Sequence, residues 1–156
     1  MASAWVPVHH MDFRRPDIVL SGLKTSKGSL LNLPLQSNSV ASLSCMHVVE
    51  HVGLGRYGDP LNVWGDQQAA NELSRVLAPG GNLLIVVPLG RPRINFNAHR
   101  VYSYEQALAL FSELQLKQFA LIPDNFESGM MVDARPDVVN SQEWGCGCFV
   151  FTKVAT

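Results

Sequence analysis

A chain of 156 residues is long enough for one folded domain, and its 47% hydrophobic and 16% charged content excludes a disordered, solvated tail. A formal net charge of -1 supplies no overall positive field, which argues against nucleic acid or an anionic membrane surface as partner. The start, Met1 to Val8, is short and broken by Pro7, unlike a signal peptide, and no apolar run is long enough to span a bilayer. The expected compartment is therefore the cytoplasm, where Cys45, Cys146 and Cys148 would stay reduced.

In chain order, Trp5 to Phe13 reads as a strand running into a loop at Arg14, Arg15 and Pro16. Asp17 to Leu23 reads as a short helical turn or loop, Gly28 to Leu33 as a short extended segment, and Pro34 to Asn38 as a turn. Val40 to Val49 is a near-continuous apolar run, the pattern of a central strand buried on both faces of a parallel sheet. A glycine-rich loop through Gly53, Gly55, Gly58 and Pro60 follows. Asp66 to Leu77 then spaces Ala69, Ala70, Leu73, Val76 and Leu77 as one buried helical face, closed by Ala78-Pro79-Gly80-Gly81. Leu83 to Val87 reads as a second buried strand. Ser103 and Gln106 form a capping-box pattern that starts a helix near Tyr104. Phe119 to Ile122 and Cys148 to Val154 read as the last strands. Strands alternating with helices predict a single α/β domain over 1–156, with a mostly parallel sheet and a C-terminal antiparallel strand pair.

The segment Met46 to Pro60, MHVVEHVGLGRYGDP, carries the densest chemistry. In open α/β sheets ligands bind beyond the carboxyl ends of strands, which places His47, Glu50 and His51 at the mouth of a crevice. HVVEH also matches the H-x-x-E-H pattern of inverted zinc peptidases. The early glycines interrupt the helix that pattern needs and no third ligand is evident, so the expected site is metal-free, with a zinc hydrolase through His47, Glu50 and His51 as the remote alternative.

LPLQSNSVASLSCMHVVEHV, from Leu33 to Val52, resembles the segment of class I S-adenosylmethionine-dependent methyltransferases that leads through the fourth strand of their Rossmann-like fold. ELSRVLAPGGNLLIVVP, from Glu72 to Pro88, resembles the helix, Pro-Gly-Gly turn and fifth strand that follow. With GLGRYGDP, FNAHRVYS and GCGCFVF, the resemblance narrows to a methyltransferase-like family of unknown function and covers nearly the whole chain. It implies S-adenosylmethionine as cofactor. Asp12 matches the strand-end acid that accepts hydrogen bonds from the cofactor ribose, for which a carboxylate offers acceptors on both oxygens. Ser29 and Leu30 fall beside the adenine, where Ser29 departs from the usual acid, and His47 matches a position facing the methionine part.

The larger departure lies upstream. The family's first strand, glycine-rich turn and first helix should precede Asp12, where only eleven residues stand. Gly53, Gly55 and Gly58 follow the wrong strand to replace that turn. The expected fold is thus a truncated Rossmann-like methyltransferase fold. Either the second strand pairs directly with the fourth, or a second copy covers the gap, or the chain is a piece of a longer protein; a homodimer is the favoured expectation.

Arg91, Arg93, His99 and Arg100 cluster after the fifth strand and are read as gripping an anionic small-molecule acceptor, against a bland reading in which arginines pair with Asp124, Glu127 or Glu143. Cys146 and Cys148, at i and i+2, share one face of a strand and are read as buried structural thiols rather than metal ligands. As an enzyme the chain would methylate a small or saccharide-like acceptor. His51 and His99 are then the candidate bases, and Glu50, Arg56, Tyr57, Arg93, Asn97 and Arg100 line the acceptor side. The alternative is a catalytically inert, methyltransferase-derived binding or assembly module that has lost the cofactor, which the absent glycine turn favours for the chain alone.

Overall fold

The computed structural model describes residues 2–155. Two short strands, β1 (Val8–Asp12) and β2 (Leu23–Lys27), pair in parallel as a sheet of their own. The main sheet has the order β3 (Val40–Met46), β4 (Leu77–Leu89), β9 (Gly145–Thr152), β7 (Gln115–Ile122), β8 (Met131–Val132). Only β3 and β4 run parallel in it; β9, β7 and β8 each pair antiparallel. The sheet is therefore mixed rather than mostly parallel, although the expected antiparallel pair near the C-terminus is there. A small hairpin, β5 (Arg93–Asn95) and β6 (His99–Val101), turns at Asn97, whose φ of 52° suits a residue whose side chain tolerates the left-handed region.

The helices are α1 (Gly65–Val76), α2 (Tyr104–Leu110) and α3 (Pro136–Asn140). The 3.6-residue spacing of α1 places Ala69, Ala70, Leu73 and Val76 inward. Ala70, Leu73 and Val76 join Leu83, Ile85 and Val87 of β4, Phe149 and Phe151 of β9, Phe111 and Val139 in one core. Strand alternation sends Leu84, Val86, Cys146, Cys148 and Val150 to the opposite face, where they are only half-buried. At α2 the capping box forms as its sequence predicts: Ser103 Oγ accepts from the Gln106 N–H at 3.2 Å, and the Gln106 side chain accepts from the Ser103 N–H at 3.0 Å. Ser103→Ala is expected to cost about 1 kcal/mol of stability, seen as a lower urea midpoint.

Two expectations need correction. β3 is not a strand buried on both faces: it is the edge of the main sheet, ends at Met46, and exposes Ala41, Ser42, Ser44 and Met46. Its serines alternate with apolar residues, so Leu43 and Cys45 turn inward while Ser42, Ser44 and Met46 stand on an open face. The segment read as extended, Gly28 to Leu33, is a single tight turn bridged at Ser29 and Asn32, and the strand lies just before it at Leu23–Lys27. That strand is mostly polar and has one neighbour, so it carries little apolar signal.

β1 pairs with β2 and forms no ladder with β3. Of the three outcomes, direct pairing of the second strand with the fourth is thus not made. Met11 of β1 and Leu30 and Leu35 of the following segment nevertheless pack against the core that holds Leu43, so the two sheets are joined by side chains. The chain is clamped again at Glu72, whose carboxylate accepts from the Leu33 N–H at 2.7 Å and from the Arg75 guanidinium. That pairing with Arg75, opposed by burial, holds the Glu72 carboxyl below its usual range.

Candidate functional site

The carboxyl ends of β1, β3 and β4 and the start of β9 lie along one rim of the fold, because β9 runs antiparallel to β4 and pairs Gly145 with Leu89. Rings follow that rim. The Arg14 guanidinium, just past β1, stands 4.8 Å over the Tyr57 ring in the loop after β3, and Arg56 lies 5.6 Å from the same ring. Tyr57 meets His51 edge-on at 5.5 Å, His51 meets His99 edge-on at 6.2 Å, and His99 lies 4.2 Å from Trp144. The contact of Arg14 with Tyr57 spans the gap between the two sheets.

Beneath the rings lies Glu50, only 1% exposed, in the three-residue 3-10 turn Val49–His51. Its Oε1 is 3.2 Å from His47 Nδ1 and 3.8 Å from His51 Nε2, while its Oε2 is buried with no hydrogen-bond partner among the described residues. Burial pushes the Glu50 carboxyl up, against its own backbone N–H and the two histidines, which pull it down. His51 Nδ1–H donates to the Ala98 carbonyl, which leaves Nε2 facing the carboxyl. His47 holds φ at 53°, a left-handed conformation uncommon for histidine and of the kind that collects at functional sites. Its Nε2 lies 3.6 Å from Cys146 Sγ. One tautomer satisfies both contacts: Nδ1–H donates to Glu50, and Nε2 accepts from the thiol.

The loop that carries Tyr57 is shaped by Asp59. Burial alone would raise the Asp59 carboxyl, but the N–H groups of Gly53, at 2.7 Å, and Tyr57, at 3.3 Å, hold it below the carboxylate range. At Gly53, φ is 81° and a Cβ would meet the Asn62 carbonyl oxygen at 2.1 Å, so only glycine fits.

The predicted residues therefore divide. His47, Glu50, His51, Arg56, Tyr57 and His99 meet on the rim. Asp12 stands at its far end, with Oδ1 accepting from the Arg14 N–H at 2.7 Å. Ser29 Oγ accepts from the Leu31 N–H within the turn after β2, and Leu30 packs toward the core. Asn97 sits at the hairpin tip. Arg93 donates to the carbonyls of Arg91 and Glu143, and Arg91 pairs with Glu143 at 3.1 Å. Arg100 is buried at 4% exposure: Nε lies 3.3 Å from Asp66 Oδ2, and the fork donates to the Val52 carbonyl at 2.8 Å and to that of Val63 at 3.4 Å. Its charge is taken up inside the fold, where Tyr102 also donates to Asp66 at 3.0 Å. These partners correct the reading of Arg100 as an acceptor grip.

The helical face that H-x-x-E-H requires is absent, because His47 is left-handed and the turn after it lasts three residues. No group of three His, Cys, Asp or Glu side chains is arranged to hold a metal ion among the described residues. Cys146, beside His47, and Cys148 are both half-buried, a correction to their reading as buried structural thiols; Cys45 alone is buried, its thiol pushed up to about 12 by burial and then by Glu50. Sequence reading missed Cys146, Trp144 and Arg14 as parts of the rim. The i, i+2 cysteines were visible, but their approach to a histidine 99 positions away was not.

The model of a family described as "Caenorhabditis protein of unknown function, DUF268" matches residues 34–121, more than half of the chain. The chain belongs to that family. No curated protein sequence matches it. Among solved structures, the cyclase SpnF aligns with a TM-score of 0.60 at 13% identity, over 86% of this chain and 58% of its own. An S-adenosylmethionine-dependent methyltransferase from Thermotoga maritima aligns with a TM-score of 0.53 at 17% identity, over 82% and 63%. Geranyl diphosphate methyltransferase, in complex with S-adenosylmethionine, aligns at 0.56 and 14%, over 85% and 58%. The chain spans about three fifths of the length of these structures. Its fold is Rossmann-like and methyltransferase-like. No helix among the described residues is long and apolar enough to cross a membrane.

The residues present do not make a full seat for S-adenosylmethionine. Asp12 has one carboxylate oxygen free of the Arg14 N–H, as a ribose diol would need, but no glycine-rich turn stands between β1 and β3 among the described residues. Gly53 cannot substitute, because the Asn62 backbone already fills the space where a ligand would approach. An open groove of about 450 Å³ lies between the start of α1, the hairpin and α2, lined by Trp64, Ile94 and Leu110 among others, and none of the rim histidines lines it.

Proposed function

We propose that this chain is a methyltransferase-like domain that keeps the acceptor side of the crevice and does not transfer a methyl group by itself. The carrying observation is the break between the parallel pairs β1–β2 and β3–β4, with Asp12 on one side and His47 on the other. A fold of this kind that handles S-adenosylmethionine needs backbone N–H groups between those strands, and another segment or a second copy must supply them.

The acceptor side has the groups for orientation and proton removal. His99 is held below the usual histidine range by burial first and then by His51, Arg56 and Arg93, so it is neutral at pH 7 and able to take a proton. Trp144 and Tyr57 give the ring faces on which a small or saccharide-like acceptor would rest, and Arg56 offers charge to an anionic one. A binding or assembly module is the second reading, favoured by the unpaired edges of β1 and β3 and the exposed Met46 and Val48 beside the gap. A symmetric homodimer meeting there is its natural form.

Titration of the 156-residue chain with S-adenosylhomocysteine in a calorimeter tests competence. The expected dissociation constant is weaker than about 1 mM, roughly 4 kcal/mol of binding at most. Micromolar binding would sink the proposal and make the chain an autonomous cofactor binder.

A further inference from the structure

His47 follows directly on β3 and reaches past β4 to β9, so that Cys146, His47 and Glu50 stand in a row. Cys146 Sγ lies 3.6 Å from His47 Nε2, and His47 Nδ1 lies 3.2 Å from Glu50 Oε1. These are the two contacts that join a nucleophile to its base and the base to the group that orients it. The His47 side chain is 49% exposed and Cys146 half-buried, which leaves the sulfur open to a small molecule from solvent, while Glu50 is shut away beneath them. Two further observations mark the row as more than packing. His47 is kept in a left-handed conformation, which persists in a non-glycine residue only where the surroundings over-determine it. Glu50 is 1% exposed, with one oxygen lacking any partner among the described residues, a cost that packing alone does not explain.

We propose that Cys146 is a reactive thiol that accepts alkyl groups from small electrophiles with a leaving group on a saturated carbon, with His47 as its base and Glu50 as the residue that positions the imidazole. The thiol proton passes to His47 Nε2 as the sulfur forms its bond to carbon, and the leaving group departs with the electron pair of the bond that breaks. Nδ1–H stays on Glu50, whose negative charge stabilises the imidazolium as the third group of a catalytic triad does. The imidazolium then returns its proton to water, and a thioether remains on Cys146. The other ionisable groups that face the row are Cys148, two residues on along β9; His51, 3.8 Å from Glu50 Oε1; and buried Cys45. The nearby Arg100 fork reaches the Glu50 carbonyl at 3.4 Å and is tied to Asp66. Nothing in this reaction uses S-adenosylmethionine, so the strength of cofactor binding neither supports nor sinks it.

The test is alkylation of the native chain by iodoacetamide, with fragment-ion mass spectrometry to tell Cys146 from Cys148 in their common peptide. The expected result at pH 7 is a label on Cys146 ahead of Cys148. His47→Asn is the principal variant, because asparagine adopts the left-handed conformation readily and keeps the backbone in place. It is expected to slow Cys146 labelling at pH 7 about tenfold and to move the rise of the rate to higher pH. Glu50→Met is expected to slow it similarly, and Glu50→Gln to restore most of the rate, since the glutamine carbonyl oxygen still accepts from Nδ1–H. Cys148→Ala is expected to leave the rate unchanged. Cys45 is buried and stays unlabelled while the chain is folded, which separates loss of the base from loss of the fold. A parent chain labelled first on Cys148, or a His47→Asn chain that protects Cys45 and labels Cys146 as fast as the parent, would each overturn the proposal. If His47→Asn exposes Cys45, the order of labelling in the parent and the rate in Cys148→Ala decide it.

Discussion

Arg100→Met is expected to destabilise the protein by about 3–5 kcal/mol, because it removes one partner of a buried ion pair and strands the other. The guanidinium holds Asp66 at the start of α1 and binds the carbonyls of Val52 and Val63, so it joins the loop after β3, the entry to α1 and the hairpin in a single knot. That knot sets where His51 and Tyr57 stand. Methionine keeps most of the volume but satisfies none of those acceptors, and Asp66 is left with the Tyr102 hydroxyl at 3.0 Å and the Gln67 N–H at 3.0 Å. Urea unfolding should show a lower midpoint at unchanged slope. The double variant Arg100→Met with Asp66→Asn should lose clearly less than the two singles added together, since removing both charges leaves neither unpaired. A loss below about 1 kcal/mol for the single variant is what a surface arginine gives, and would return Arg100 to the acceptor side.

Arg100 also marks the limit of what the sequence reveals. α1 and the Ser103 cap were legible because helical spacing and a capping box are local: the residues that decide them lie within a turn or three of one another. Asn97, His99 and Arg100 looked alike in sequence, a polar run after a strand, and only the partner 34 positions earlier separates the buried arginine from the exposed tip. β3 was misjudged for the converse reason. Its apolar run fits a doubly covered strand, but covering depends on a neighbour that the segment itself does not encode, and Ser42 and Ser44 were the local hint that one face is open. That His47, Glu50 and His51 lie just past β3 was legible because placement at the carboxyl end of a strand tolerates an error of a few residues in where the strand stops. The thiol row was not found, since it needs the register of β9 against β4 to bring Cys146 beside Pro88 and thus within reach of His47.

Glu50→Gln should change the pH dependence of stability more than its value at any one pH. The Glu50 carboxyl is raised by burial, so the sign follows directly: its contribution is fully present below the unfolded value near 4.5 and is lost as pH rises through the elevated folded value. His47 and His51 are its nearest ionisable partners, at 3.2 and 3.8 Å from Oε1. Cys45, whose thiol is pushed up to about 12, stays neutral between pH 5 and pH 8, and the nearby Arg100 fork is tied to Asp66 and to the Glu50 and Val52 carbonyls rather than to the carboxylate. Glutamine has nearly the same shape and cannot ionise. The difference in unfolding free energy, variant minus parent, is therefore expected to move in favour of glutamine from pH 5 to pH 8, by about 1.4 kcal/mol for each unit by which the carboxyl is raised. Urea titrations at four pH values across that window would measure it. A difference that stays flat would mean the carboxyl ionises as freely in the folded chain as in the unfolded one, and a difference that moves toward the parent would mean the histidines stabilise the carboxylate more than burial penalises it.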